Sequence, residues 1–254
     1  MDPDVRPAGF GSNCGPPGPA RMTVNGAQST LLVAAFAMEL RGLLRWTTGV
    51  RALDWPVLWA RAAELEGSSL VLVANGAGRE RAAEAVKVAS LRRALGAVVS
   101  AGFCGGLDER LQPGDVLVAN QVGAMRALAP RTSRAFLSGE LASTDRVAQT
   151  REEKRRLRAQ GAAAVEMEAA GVAGCAAELG VPFFCVRVVT DTAEESFGFD
   201  FNAALRQDGR FDGWRLLRQA AAKPAARAAE LARLRRRSRL AASRLGEFLA
   251  DCRF

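Results

Sequence analysis

The sequence predicts an α/β fold with a mainly parallel sheet in one domain, and three observations predict it. Short apolar runs of strand length recur along the chain, helical patterns lie between them, and turns bearing glycine or aspartate follow several of the runs. Runs that are apolar throughout fit strands covered by helices on both faces. Their alternation with helices fits a parallel sheet.

In chain order the runs are TLLVAAF (30–36), SLVLVAN (69–75), AVVSAG (97–102), DVLVAN (115–120), AAAVE (162–166) and FFCVRVV (183–189). Helices are predicted over 79–95, 166–180, 203–221 and 225–250. The first twenty residues hold five prolines and four glycines, with no basic region leading into an apolar one. Residues 1–28 therefore read as a disordered leader and not a signal peptide. An α/β domain is expected over 29–222 and a basic C-terminal helix packed on it over 223–254. Ligands of such sheets bind beyond the carboxyl ends of strands, so the residues following each run carry the interest. GAGRERAAEAV follows the second run. It reads either as a glycine turn presenting a helix N-terminus to an anion or as an ordinary strand–helix turn. TDTAEE follows the last run and sets Asp191 at a strand's carboxyl end, where a functional acid and a surface-turn aspartate are both open readings.

Composition excludes several chemistries. No histidine occurs among the 254 residues, which removes Ser-His-Asp and Cys-His catalysis and histidine-ligated metals. Acid–base work near neutral pH then falls to Asp, Glu, Lys or Cys tuned by their surroundings. The five cysteines (14, 104, 175, 185 and 252) form no CxxC pair, so neither a disulfide framework nor a metal site is expected, and a cytoplasmic location fits. No apolar run approaches the roughly 18 residues of a membrane span. The net charge of +8 resides wholly in residues 204–254, with thirteen Lys/Arg against five Asp/Glu. Within that stretch Leu231, Leu234, Ala241, Leu245 and Phe248 recur at helical spacing beside Arg233, Arg235, Arg236, Arg237 and Arg239. A docked helix with a solvated arginine face is the first reading, and peripheral attraction to an anionic membrane is the second. Nucleic acid is not an expected partner, since no aromatic stacking platform accompanies the charge.

Three segments taken together resemble one family: VAAFAMELRGLL (33–44), SAGFCGGLDERLQPGDVLVAN (100–120) and AAVEMEAAGVAGCAAELGVPFFCVRVVTD (163–191). They are similar to the nucleoside phosphorylase and nucleosidase superfamily, which includes purine nucleoside phosphorylases and methylthioadenosine/S-adenosylhomocysteine nucleosidases. The resemblance implies a single three-layer α/β/α domain with a mixed, mainly parallel central sheet. It also implies cleavage of a purine N-glycosidic bond with release of adenine, no cofactor, and a homo-oligomer. The compact segment 139–168, the strand VVSAGFCGGL and the tail 205–249 look like the hopanoid-associated branch, whose substrate is adenosylhopane.

By that resemblance Asp191 is the general acid toward the purine, and Glu168 binds the ribose hydroxyls. Met167 lies against the sugar. Gly102 and Phe103 line the site, and Phe199 or Phe201 either covers the base or packs in the core. Glu166 is grouped with the substrate residues, although strand alternation turns it away from Met167 and suits a structural pairing with Arg187. Hydrolytic members carry a water-activating glutamate three residues after a methionine. Counted from Met38, that position is Arg41, whose guanidinium suits phosphate and cannot act as a base. Arg41, with Gly76 and Arg79 in the glycine turn, therefore points to phosphorolysis with inorganic phosphate as co-substrate. Hydrolysis with Glu39 as the base is the alternative. A non-catalytic nucleoside-binding or lipid-associated protein is the third reading.

Overall fold

A computed structural model describes residues 28–254. The leader expected over 1–28 lies, Gln28 apart, outside the described residues. The elements run β1 (Ser29–Ala34), α1 (Ala37–Leu40), a 3₁₀ turn (Leu43–Trp46), β2 (Thr48–Ala52), β3 (Trp59–Leu65), β4 (Ser68–Ala74), α2 (Arg79–Ser90), β5 (Leu95–Gly106), β6 (Val116–Val122) and β7 (Met125–Arg126). They continue with β8 (Leu137–Ser143), α3 (Arg151–Ala159), β9 (Ala164–Glu166), α4 (Ala169–Leu179), β10 (Phe183–Asp191), α5 (Phe201–Ala204), α6 (Gly213–Ala222) and α7 (Pro224–Asp251).

One mixed sheet holds all ten strands. At its centre β4, β1, β5 and β10 run parallel to one another. The antiparallel hairpin strands β3 and β2 extend it beyond β4. On the other side β10 pairs with β6, β6 with β8, β8 with β9, and β9 returns to β5, so this part closes on itself. The alternation of the central strands explains the layers. Leu31 and Val33 of β1 pack with α2 and α4 through Ala82, Val86, Val172 and Ala176. Leu32 and Ala34 pack on the opposite side with Leu40, Leu43, Leu245 and Phe248 of α1, the 3₁₀ turn and α7. Burial of both faces is why these runs show no polar alternation.

Sequence and structure differ where the apolar signal is weak. Every residue of β2 is exposed, and β8 is half-solvated, so neither shows a buried-strand pattern. Helix α3 is almost wholly charged; only its capping box, Thr150 with Glu153, marks its start. The helix expected over 203–221 is two helices, α6 starting afresh where Asp212 accepts hydrogen bonds from the Trp214 and Arg215 amides. The helix expected from 166 starts at Ala169, because Glu166 still closes β9. The small residues of α4 let it approach α2 closely: a Cβ on Gly171 would lie 2.1 Å from the Arg79 carbonyl oxygen. That approach brings the start of α4 to the glycine turn before α2. In α7, Ala241, Leu245 and Phe248 are buried as their spacing predicts, whereas Leu231 is exposed.

Candidate active site

A cavity of about 320 Å³ opens at the carboxyl ends of β1, β5 and β10. Its walls are largely aromatic and aliphatic, with Phe36, Phe103, Phe197, Phe201 and Phe211 prominent. Leu234 and Ser238 of α7 also reach it. Glu39, Glu166, Glu168 and Asp191 line it as well, each nearly inaccessible to solvent. Buried carboxylates need partners; three of the four share Arg187 and the fourth has Lys154.

Glu166 is the structural acid. Its Oε2 accepts from the amides of Glu168 and Ala169 at 2.8 Å each, capping α4 from the end of β9. The same oxygen takes an ion pair from Arg187 Nη2 at 2.5 Å. Arg187 is fully buried in the middle of β10 and also donates to Ser100 Oγ at 2.6 Å. Beside it Gly102 is a matter of space: a Cβ there would lie 2.6 Å from Arg187 Nη1 and 2.7 Å from Glu39 Oε1. Gly102 thus admits the charged cluster behind the wall and is not itself part of the wall.

Glu168 faces the cavity beside Met167. Its Oε1 accepts from the Gly78 amide at 2.9 Å, and Oε2 lies 3.8 Å from Arg187 Nη1. Burial, together with the nearby charges of Glu166 and Glu39, pushes the Glu168 carboxyl up to about 8, against the pull of Arg187. Glu39 is anchored at both oxygens: Oε2 accepts from the Phe36 amide at 2.7 Å and Oε1 from the Phe103 amide at 2.9 Å. Burial raises its pKa as well, opposed by these amides and by Arg187. Three carboxylates thus share one guanidinium.

Asp191, at the other end, has a cation of its own. Lys154 of α3 is buried and donates to Asp191 Oδ2 at 2.6 Å, while Thr190 Oγ1 lies 2.8 Å from Oδ1. Burial raises the Asp191 carboxyl, and Lys154 works against that rise.

The structure corrects several sequence expectations. Met38 is exposed, and it is Phe36 that lines the cavity. Three residues after Phe36 comes Glu39, so an acid lies inside the cavity at the spacing expected of hydrolytic members. Arg41 is exposed and does not line the cavity. Arg79 is half-exposed, 3.9 Å from Asp145. The Gly76 amide donates to Ala35 O, the Ala77 amide to Gly209 O and the Gly78 amide to Glu168, so the glycine turn offers none of these three donors to a phosphate. Phe199 packs behind Phe201 under Arg227 and leaves the wall to Phe201. Lys154 was not legible: a lysine in the run TREEKRRLRA reads as part of a solvated charged face.

Comparison with known proteins bears on the family and the fold. The family described as Phosphorylase superfamily matches residues 60–140 and 123–218. The 5′-methylthioadenosine/S-adenosylhomocysteine nucleosidase of Colwellia psychrerythraea is 26% identical over 213 residues, covering 68% of this chain and 88% of that protein. The nucleosidase of the same description from a Marinomonas species is 26% identical over 209 residues, 69% and 90% of the two chains. Among solved structures, the nucleosidase of Neisseria meningitidis in complex with methylthio-immucillin-A superposes with a TM-score of 0.65 at 21% identity, covering 88% of this chain and 97% of that one. Futalosine hydrolase of Helicobacter pylori gives 0.62 at 18% identity, with coverage of 88% and 96%. These two structures share the fold. Among the described residues no group of His, Cys, Asp or Glu is arranged to hold a metal ion, and no helix is long and apolar enough to cross a membrane.

Proposed function

Starting from the fact that the chain belongs to the phosphorylase superfamily and is an enzyme of N-glycosidic bond cleavage, we propose that it hydrolyses an adenosyl nucleoside to adenine and the free sugar. One observation carries the choice of water over phosphate: Glu39 is fixed in the cavity by two amides, while Arg41, Arg79 and the glycine turn are turned away from it or occupied. The relatives described as nucleosidases support the same choice.

The chemistry follows from the charge distribution. Breaking the bond makes the ribose cation-like and leaves the base electron-rich. A sugar resting on Met167, with its hydroxyls on Glu168, sits beside three carboxylates that share one guanidinium. Such a site favours the cationic transition state over the neutral substrate. Glu39 takes a proton from water as its oxygen attacks C1′. Asp191, whose carboxyl burial raises against the pull of Lys154, passes a proton to a ring nitrogen of the departing base. The aromatic side of the cavity suits an apolar group at the 5′ carbon, whether the methylthio group of methylthioadenosine or the larger chain of adenosylhopane.

Base release from methylthioadenosine and from adenosylhopane, each with and without inorganic phosphate, tests the reading. Adenine and free sugar formed at a rate indifferent to phosphate are expected. Phosphate-dependent formation of a sugar 1-phosphate would overturn hydrolysis. Failure to release base from every purine nucleoside tried would overturn the proposed activity itself.

A further inference from the structure

Lys154 is the one lysine buried in the described core, at 1% exposure. It does not line the cavity, yet its ammonium donates to Asp191 Oδ2 and to the Thr192 carbonyl, both at 2.6 Å. The Phe197 ring lies 5.4 Å from Nζ. The surrounding charges are matched elsewhere: Glu195 with Arg237 of α7, Glu153 with Arg146, Asp108 with Arg110 and with Arg158 of α3, and Glu166 with Arg187. Cys104 of β5 stays a thiol, its pKa driven up by burial. Lysine and aspartate therefore form a closed, neutral unit behind the base end of the cavity.

The hydrogen bonds around Asp191 accept either state of that unit. The single hydroxyl proton of Thr190 has two acceptors within reach, Asp191 Oδ1 at 2.8 Å and the Cys104 carbonyl at 3.2 Å. With Asp191 ionised, Thr190 donates to it. With Asp191 protonated at Oδ1, the carboxyl donates to Thr190 and Thr190 donates to Cys104.

We propose that Lys154 is the proton reserve of Asp191, the two side chains holding one transferable proton between them. The inference rests on the N-glycosidic cleavage proposed above. As the glycosidic bond breaks, its electron pair stays with the base. Lys154 Nζ passes its proton to Asp191, which delivers it to the base nitrogen, so that the pair ends as a neutral amine beside a carboxylate. The proton released by the attacking water goes to Glu39, and exchange with solvent restores both groups. Lys154 acts through Asp191 and does not touch substrate, so it is a positioning and proton-supplying residue.

A pH profile separates this role from simple scaffolding. Without the lysine, Asp191 becomes an isolated buried acid, able to donate at low pH and spent once it ionises. With the lysine in place, a further proton stands behind the ionised carboxyl at the other end of a 2.6 Å hydrogen bond. The full chain and its Lys154→Met and Lys154→Arg variants are compared on methylthioadenosine, following kcat/KM from pH 6 to 9.5. Lys154→Met should stay within roughly threefold of wild type near pH 6 and fall at least about tenfold below it near pH 9. Lys154→Arg keeps the charge but cannot give up a proton, so it should be low throughout. A Lys154→Met to wild-type ratio that is flat across pH, or a Lys154→Arg enzyme as active as wild type, would overturn the proposal. If Lys154→Met does not fold, as judged by its thermal melt, Lys154→Arg decides alone. A wild-type protein that releases no base would instead overturn the underlying reading, and this proposal with it.

Discussion

The two ends of the cavity use the same residue types in opposite balance. At the end proposed for the ribose Glu39, Glu166 and Glu168 share Arg187; at the end proposed for the base Asp191 has Lys154 to itself. The first sets three carboxyls against one cation, a crowding that helps to push Glu168 up to about 8 and is relieved when a cation forms beside it. The second is balanced and can lose a proton without leaving a charge stranded in an empty cavity, because a cation has just formed nearby. The difference teaches that burial alone does not assign a carboxylate its task. The number of cations it must share decides whether it stabilises charge or moves a proton.

Substitutions should break this contrast in a graded way. Asp191→Asn and Glu39→Gln each remove a proton-transfer group, and kcat for adenosyl nucleosides should fall by about 10²–10⁴. Glu168→Gln removes an interaction that strengthens in the transition state, at a cost of about 10²–10³ in kcat, measured by base release. The same variant should be more stable than wild type in alkaline solution. With Glu168 raised from 4.5 to about 8, the folded chain holds a proton there that the unfolded chain has released. Stability therefore falls as pH rises through that window. Glutamine removes the dependence, and the gain in Tm over wild type should be larger at pH 8.5 than at pH 5. Glu166→Gln keeps an acceptor for the α4 amides but leaves Arg187 without its full counter-charge; chemical denaturation should show a loss of about 3–5 kcal/mol. Arg41→Ala, exposed and off the cavity, should change turnover by less than about twofold at any phosphate concentration.

Much of this was legible in the sequence, and the gaps have physical causes. The central strands declare themselves because both faces are buried; β2 and β8 do not, because their surroundings are wet. Strand alternation sets Glu166 apart from Met167 and suits its pairing with Arg187, but it would turn Glu168 the same way; the two acids separate because β9 ends at Glu166 and the chain turns into α4. Glu39 was displaced because Met38 looked like the site's methionine, while the chain turns at Phe36 and points Met38 outward. Lys154 was invisible. Its burial depends on where α3 packs, and nothing in a run of alternating charges tells one lysine from its neighbours.

The division of labour between the two ends is open to one direct measurement. Asp191→Asn and Glu168→Gln are compared on an adenosyl nucleoside and on a 4-nitrophenyl riboside, whose leaving group departs without protonation. The account predicts that Asp191→Asn loses activity on the adenosyl substrate and keeps it on the nitrophenyl riboside, whereas Glu168→Gln loses it on both. Equal losses by Asp191→Asn on the two substrates would contradict a proton-donating base end and, with it, the contrast on which the mechanism stands.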